Sequence, residues 1–179
     1  LALAALLGLC VAAPLAAAPV YSTHPPFTGK TRAVPVFIDA GFSSAEQEQI
    51  ASALDEWNRA LNGVARFDRV ATANDTVEGN RAWLIRRGAG KEGIREPGRK
   101  AQNLATVQPL AKSGGILIVF AGANEYMREN GLNLRDVMMR ELGHLVGLRH
   151  ATSGDLLSKD YLAGDRSCAD RETATEVRS

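Results

Sequence analysis

The residues whose types and spacing could do chemistry lie together between positions 140 and 150. Glu141, His144 and His150 fall in this segment, and the chain has only three histidines. Imidazole nitrogens bind metal ions, and a carboxylate beside a metal can take a proton from metal-bound water. On a helix, positions 140 and 144 share one face, and Gly147 lets the chain turn back so that His150 reaches the same ion. The spacing predicts a metal site with Glu141 as general base; the alternative is a set of ordinary surface residues on an amphipathic helix.

Position 140 is occupied by arginine, which cannot be a metal ligand. A catalytic zinc takes three protein ligands at roughly 2.0–2.2 Å and leaves one position for water. A guanidinium stays protonated and has no lone pair to offer. At about 5 Å from a dication, with an effective dielectric of about 20, its repulsion is roughly 6–7 kcal/mol, an upper bound because the side chain can turn toward solvent. We therefore predict that zinc binds weakly or not at all while Arg140 is present.

Residues 140–150 resemble the metzincin zinc signature, H-E-x-x-H-x-x-G-x-x-H, at every specified position except the first. The pattern of residues 34–61 also resembles the opening of the small matrixin-like secreted peptidases. The resemblance implies an α+β domain with a twisted mixed sheet packed on helices and an active-site helix at about 133–147. It implies zinc at the cleft floor, with His144 and His150 as ligands, Glu141 as general base and peptide-bond hydrolysis as the activity. The peptide or protein substrate would lie extended along an edge strand near residues 104–108.

The chain departs from this family's pattern at two places. One is Arg140, which stands where the family has its first zinc ligand. The other is a tight turn beneath the zinc, where the family has methionine and this chain has Leu157, a side chain of similar volume. A different third ligand stays open as an alternative, from His24 or from one of three aspartates, Asp155, Asp160 and Asp165.

Arg140 has three competing explanations. It is a sequence variant, since histidine and arginine codons differ by one base; or it marks a natural pseudoenzyme; or another group completes the zinc site. Two functions therefore stay open: a zinc-dependent metalloendopeptidase, and a secreted pseudoenzyme that binds a peptide or protein without cleaving it. In both cases we expect a monomer.

Two helices with strong end signals must position these residues. Ser43 and Glu46 form a predicted capping box, and Asn62-Gly63 ends the first helix. Its apolar residues recur at intervals of four, three and four, which predicts one buried stripe of Ile50, Leu54, Trp57 and Leu61. The second helix begins at Asn133, with Asp136 at its third position, and ends at Gly147.

The strands are predicted from alternation and from apolar runs. Val34, Val36 and Ile38 alternate with their neighbours, and Pro35 places this strand at a sheet edge or makes it begin near that residue. Further strands are expected at 65–70 and 82–86, and the continuous apolar run 115–120 predicts a buried strand. Strands and helices in this order favour the α+β class.

Three other segments carry weaker signals. Residues 86–103 are rich in glycine and basic side chains, which indicates a solvated surface loop, with an anion site as the alternative. Residues 170–179 could begin a last helix. The single cysteine outside the N-terminal segment, Cys168, cannot form an internal disulfide and is interpreted as a packed residue, with a reactive thiol as the alternative.

The N-terminal residues predict export. Residues 1–20 carry no charge and end in small side chains, which is typical of a signal peptide; a membrane anchor is the rival interpretation. Residues 21–32 form a proline-containing leader, and residues 33–179 form the peptidase-like domain. After cleavage we expect no stable membrane insertion and a secreted or periplasmic location. The net charge of +1 in 179 residues excludes general attraction to nucleic acid.

Overall fold

Seven strands and three helices form within residues 29–88 and 104–148, the parts of the chain that the computed structural model describes. In chain order the elements are β1 (Arg32–Ile38), α1 (Ser44–Leu61), β2 (Ala65–Arg69), β3 (Thr76–Val77), β4 (Asn80–Arg81), β5 (Trp83–Arg87), β6 (Ala105–Pro109), β7 (Gly115–Val119), α2 (Ala123–Glu129) and α3 (Leu134–Leu145). Within these ranges no helix is long and apolar enough to span a membrane.

Five strands form one mixed sheet in the order β2-β1-β5-β7-β6. β1 pairs in parallel with both β2 and β5, β5 pairs in parallel with β7, and β6 alone runs antiparallel, at the edge beside β7. Parallel neighbours need a long connection, and α1 supplies it between β1 and β2. β3 and β4 form a separate two-stranded hairpin. The expected α+β class, with a mixed sheet packed on helices, is confirmed.

The prediction that β1 lies at a sheet edge is wrong. β1 lies between β2 and β5, although its ladder with β5 begins only at Val36, directly after Pro35. The Asp39 backbone N–H donates to the Ile85 carbonyl of β5. Because the direction of backbone groups alternates along a strand, the backbone groups of every second residue before Asp39, including Pro35, are also directed toward β5. The N–H that Pro35 lacks would therefore point to the side where the β5 ladder has not yet started, and the sheet loses no hydrogen bond there.

Arg86 and Arg87 belong to β5. The strand predicted at 82–86 is therefore confirmed as far as Arg86, and the interpretation of residues 86–103 as a surface loop is wrong for these two arginines; residues 89–103 lie outside the described part. Arg87 forms an ion pair with Glu46, and its guanidinium lies 5.0 Å from the centroid of the Phe42 ring. Burial alone would raise the pKa of the Glu46 carboxyl, but hydrogen bonds from Ser43 and the charge of Arg87 hold that pKa below its usual value. The pair ties the start of α1 to the sheet.

The core forms where the predicted apolar stripe of α1 meets the sheet and α3. The stripe residues Ile50, Leu54, Trp57 and Leu61 are all at most 2% exposed. The Ser43–Glu46 capping box is present, and Asn62 and Gly63 both take positive φ, as the sequence predicts for the end of α1. Facing them are fully buried residues of the sheet and of α3, namely Val36, Ile85, Leu117, Val119, Met138, Met139 and Leu142.

The turn before β7 contains a glycine that touches the neighbouring backbone. Gly114 has φ +68°, and a Cβ added to it would lie 2.7 Å from the carbonyl oxygens of Arg81 and Ala82. Gly131 has nearly the same φ, +67°, with no atom within 4 Å of its added Cβ. A side chain at either glycine would therefore be strained by the left-handed conformation, but only a side chain at Gly114 would also clash with neighbouring carbonyl oxygens.

We expect Gly114→Ala to destabilise the domain more than Gly131→Ala. Left-handed conformation costs a non-glycine residue roughly 1–2 kcal/mol at either site. At Gly114 the clash with two carbonyl oxygens adds about 1–3 kcal/mol, the usual cost of overpacking. Urea unfolding of both variants measures the difference in the free energy of unfolding. Equal losses at the two sites would contradict the close approach at Gly114.

Candidate functional site

The helix that carries the predicted site residues begins with a complete capping box. Asn133 accepts a hydrogen bond from the Asp136 backbone, and the Asp136 carboxylate accepts one from the Asn133 backbone, both at 3.0 Å. A further side chain, Gln49 of α1, accepts from the Leu134 N–H at 3.0 Å. The predicted start of this helix is confirmed, and α1 contributes to its cap.

The other end of α3 closes in a Schellman motif around Gly147. Gly147 has φ +105°; its N–H donates to the His144 carbonyl at 3.2 Å, and the Leu148 N–H donates to the Gly143 carbonyl at 3.0 Å. The sequence prediction that Gly147 turns the chain out of the helix is confirmed. The segment that follows, including His150, lies outside the described residues.

The His144 ring is oriented by the same turn. Its Nδ1 lies 2.8 Å from the Leu148 carbonyl oxygen, which can only accept a hydrogen bond. Nδ1 must therefore carry the proton, and in the neutral ring the lone pair is on Nε2. Metal-binding histidines are commonly oriented in this way, with one ring N–H donating to a carbonyl. His144 thus has the tautomer that a metal ligand needs.

Side chains of α1 and β1 hold α3 in place. Trp57 donates its indole N–H to the Met139 carbonyl at 2.8 Å, directly before Arg140 in the chain. Glu56, which is 7% exposed, forms an ion pair with Arg135. At the far end, Arg32 of β1 donates from Nη2 to the Val146 carbonyl at 3.0 Å. The register of α3 against the core is therefore fixed along its length.

The Arg140 side chain is buried next to Glu141. Its exposed fraction is 6%, that of the Glu141 side chain is 7%, and Arg140 Nε lies 3.9 Å from Glu141 Oε1. The sequence interpretation allowed Arg140 to turn toward solvent, and that expectation is wrong. The guanidinium stays inside the protein, at the position one helical turn before His144.

The described residues do not fit a zinc ion. Within residues 29–88 and 104–148, no group of three or more His, Cys, Asp and Glu side chains is placed to hold a metal. His144 is the one predicted ligand in these ranges, and a buried guanidinium occupies the first ligand position. The remaining candidate ligands lie outside the described residues, namely His24, His150, Asp155, Asp160 and Asp165, and so does Leu157 of the predicted turn.

β6 is an edge strand close to residues 104–108, where the resemblance implied one, and it lies against α3. The Leu104 carbonyl accepts from Phe120 and the Leu110 N–H donates to Gly114, so residues 104 and 110 face β7. Because sides alternate along a strand, Ala105 and Val107 direct their N–H and C=O groups away from β7. No other described strand lies on that side.

Sequence reasoning missed three of the residues that position α3: Gln49, Glu56 and Arg32. One signal was available, because Gln49 and Glu56 are seven residues apart and so lie on one face of α1, beside the apolar stripe. Polar residues in that place favour contact with a second helix. Arg32 had no comparable signal, because its partner is a backbone carbonyl far away in the chain.

No family model and no curated protein sequence matches this chain. Among solved structures, the chain is similar to high choriolytic enzyme 1 (HCE-1), a hatching enzyme zinc-protease from Oryzias latipes, the medaka fish. The TM-score is 0.39 and the sequence identity 18%, over 70% of this chain and 48% of that one. This chain therefore spans about half the length of that structure's chain. A similarity of this size assigns no role to any residue.

Proposed function

We propose that this chain is an extracytoplasmic metzincin-type domain that binds an extended peptide or protein segment without hydrolysing it. The observation that carries the proposal is the buried Arg140 side chain, with its Nε 3.9 Å from Glu141 Oε1. The proposed location rests on the uncharged residues 1–20, which are typical of a signal peptide. The proposed binding edge is β6.

The burial of Arg140 argues against hydrolysis on energetic grounds. A guanidinium that stayed about 5 Å from a dication would weaken metal binding by roughly 6–7 kcal/mol. At about 1.4 kcal/mol per tenfold, that is a loss of roughly 10⁴–10⁵ in affinity. Because the Arg140 side chain is only 6% exposed, it does not escape this repulsion by turning to water. Glu141 has a fixed cation beside it and serves as its counter-ion.

The edge of β6 can bind a peptide by adding a strand to the sheet. An incoming strand can exchange four hydrogen bonds with the N–H and C=O groups of Ala105 and Val107, and Pro109, which has no N–H, ends the ladder. At about 1 kcal/mol net for each bond, the four give about 4 kcal/mol, which corresponds to roughly millimolar affinity. Tighter binding requires side-chain contacts beyond the backbone.

One observation favours a second candidate function, a metal-dependent peptidase. The His144 ring is held by the Leu148 carbonyl with its lone pair on Nε2, the arrangement of a metal ligand. If a residue outside the described ranges completes the site, His144 and His150 would bind the metal and Glu141 would be the general base. Cleavage that a chelator abolishes distinguishes this function from simple binding.

We expect the protein to bind denatured, fluorescein-labelled casein, to leave it uncut, and to unfold at the same temperature with and without a strong chelator. Fluorescence polarisation measures binding, chromatography measures cleavage, and a thermal melt measures folding. Val107→Pro removes an outward N–H without breaking the ladder to β7, and the loss of one bond worth about 1 kcal/mol is expected to weaken binding about fivefold. Failure of the folded protein to bind, or chelator-sensitive cleavage, would contradict the proposal.

A matched control exists at the opposite edge of the sheet. The Val70 N–H donates to the Val36 carbonyl, so alternation directs the Arg69 N–H outward from β2. Arg69→Pro therefore removes an outward N–H from the other edge strand and is expected to leave casein binding unchanged. Equal weakening by both proline variants would mean that binding does not use β6.

A further inference from the structure

A pocket of about 130 Å³ lies where β1, β4 and β5 meet the C-terminal end of α3. It forms because the β1–β5 ladder begins only at Val36, so the first half of β1 has no β5 neighbour. There the Ala33 carbonyl accepts a hydrogen bond from the Asn80 side chain at 3.1 Å in place of a ladder bond. The pocket is therefore a gap in the sheet, bordered by the β3–β4 hairpin.

The polar side chains of this pocket carry positive charge without a balancing carboxylate. Arg32, Asn80, Arg81 and Ser113 line it together with the half-buried Trp83. Among the residues that the structure describes, the lining contains no aspartate or glutamate, and neither arginine forms an ion pair. Two like charges in one pocket favour an anion between them.

The negative end of α3 offsets only part of this charge. Arg32 donates from Nη2 to the Val146 carbonyl at 3.0 Å, next to the last turn of the helix. A helix C-terminus carries about half a negative charge. The two arginines therefore leave about one and a half positive charges for a ligand, and the bond to Val146 holds the Arg32 guanidinium in one orientation.

Backbone geometry fixes the neutral donors of the pocket. The Arg81 N–H donates to Ser113 Oγ at 3.1 Å, so the hydroxyl proton of Ser113 is available to a ligand. The close approach of Gly114 to the Arg81 and Ala82 carbonyls holds Ser113 over β4. The amide nitrogen of Asn80, anchored on Ala33, has a second hydrogen that can also be donated.

We propose that this pocket binds a phosphate group. Guanidinium groups match phosphate oxygens in geometry, and the remaining charge favours a phosphate, which carries up to two negative charges, over a carboxylate, which carries one. At ~30 Å³ per water molecule, the pocket has room for about four waters, which suits a compact tetrahedral anion. The site uses none of Arg140, Glu141 and His144, so it stands independently of the proposed peptide-binding function.

The two tryptophans of the chain allow a direct test by nitrogen-15 NMR. Trp83 lines the pocket, whereas Trp57 is 0% exposed with its indole N–H bonded to Met139. In a titration with inorganic phosphate at constant ionic strength, the indole signal of Trp83 is expected to shift in a saturable way while that of Trp57 stays still. The absence of a saturable shift of Trp83 would overturn the proposal.

Two arginine variants show whether the pocket itself is responsible. Arg81→Gln is expected to raise the phosphate dissociation constant at least tenfold, whereas Arg69→Gln removes the same charge from an exposed position on β2 and should change it less than twofold. Equal weakening in the two variants would indicate general charge attraction and overturn the proposal. The phosphate dissociation constants are measured without any peptide-binding assay. A negative result for phosphate therefore does not bear on the peptide-binding proposal.

The source of the phosphate group is distinguished by parallel titrations with inorganic phosphate, phenyl phosphate and benzoate. Stronger binding of phenyl phosphate supports a phosphate carried by an organic molecule that contacts Trp83. Stronger binding of inorganic phosphate supports a free ion. Benzoate binding as tight as either phosphate would overturn the assignment of the pocket to phosphate.

Discussion

Arg140→His is expected to give this chain a zinc ion and a peptidase activity, neither of which we expect of the Arg140 form. The change removes a buried cation that lies beside Glu141. It supplies a neutral nitrogen ligand on the helix face already shared by His144, whose tautomer is set by Leu148. Gly147 still turns the chain out of the helix. The relief of up to roughly 6–7 kcal/mol of repulsion, together with one added ligand, makes this the largest effect that we expect from one substitution.

The decisive comparison is zinc content and casein cleavage for the two proteins prepared side by side. The Arg140→His form should hold about one zinc per chain and lose its activity with a chelator or with Glu141→Ala. Arg140→Met is the matched control, since it removes the cation without adding a ligand, and it should stay inactive. Equal chelator-sensitive activity in the Arg140 form would mean that another residue completes the site. A folded Arg140→His form that neither binds zinc nor cuts casein would show that the metzincin interpretation is wrong.

The helix ends could be predicted because their signals are local. Ser43 with Glu46 and Asn133 with Asp136 are capping pairs three residues apart, and both form capping boxes in the structure. Gly147 closes α3, as a glycine after an apolar stripe predicts. Each of these residues finds its partner within one turn of helix, so no knowledge of the fold was needed.

The strand positions were harder to predict because they depend on neighbours far away in the chain. A proline is expected at a sheet edge because an interior strand with complete ladders on both sides needs the N–H that proline lacks. In β1 the ladder to β5 starts only after Pro35, so the strand can lie inside the sheet. The short hairpin β3–β4 and the seven-residue α2 had no periodic pattern long enough to predict them.

The candidate site residues are named from the sequence, whereas the geometry around them is not. The types and spacing of Glu141, His144 and Gly147 are visible in the sequence, whereas the direction of the Arg140 side chain is not. A long arginine side chain on a helix can reach either water or the protein interior, depending on what surrounds it. Its 6% exposure follows from the tertiary packing of α3, which the sequence pattern does not encode locally.

Trp57 connects the part of the fold that was predicted to the part that was not. It was predicted as a core anchor, and it is 0% exposed. Its indole N–H also donates to the Met139 carbonyl of α3 at 2.8 Å, which no helical periodicity could indicate. One side chain therefore both fills the core and fixes the helix that carries Arg140, Glu141 and His144.

We expect Trp57→Ala to cost about 3–5 kcal/mol in the free energy of unfolding, the usual range for removing a buried aromatic side chain. Total stabilities of natural domains are roughly 5–15 kcal/mol, so the variant should unfold at a much lower urea concentration or fail to fold. Trp57→Phe keeps most of the packing and loses mainly the bond to Met139, at a cost of about 1–2 kcal/mol. Trp83→Ala is the matched control, because Trp83 is only half-buried. Urea unfolding followed by circular dichroism gives all three values, and a loss for Trp57→Ala no larger than that for Trp83→Ala would contradict the role of Trp57 as the anchor of α3.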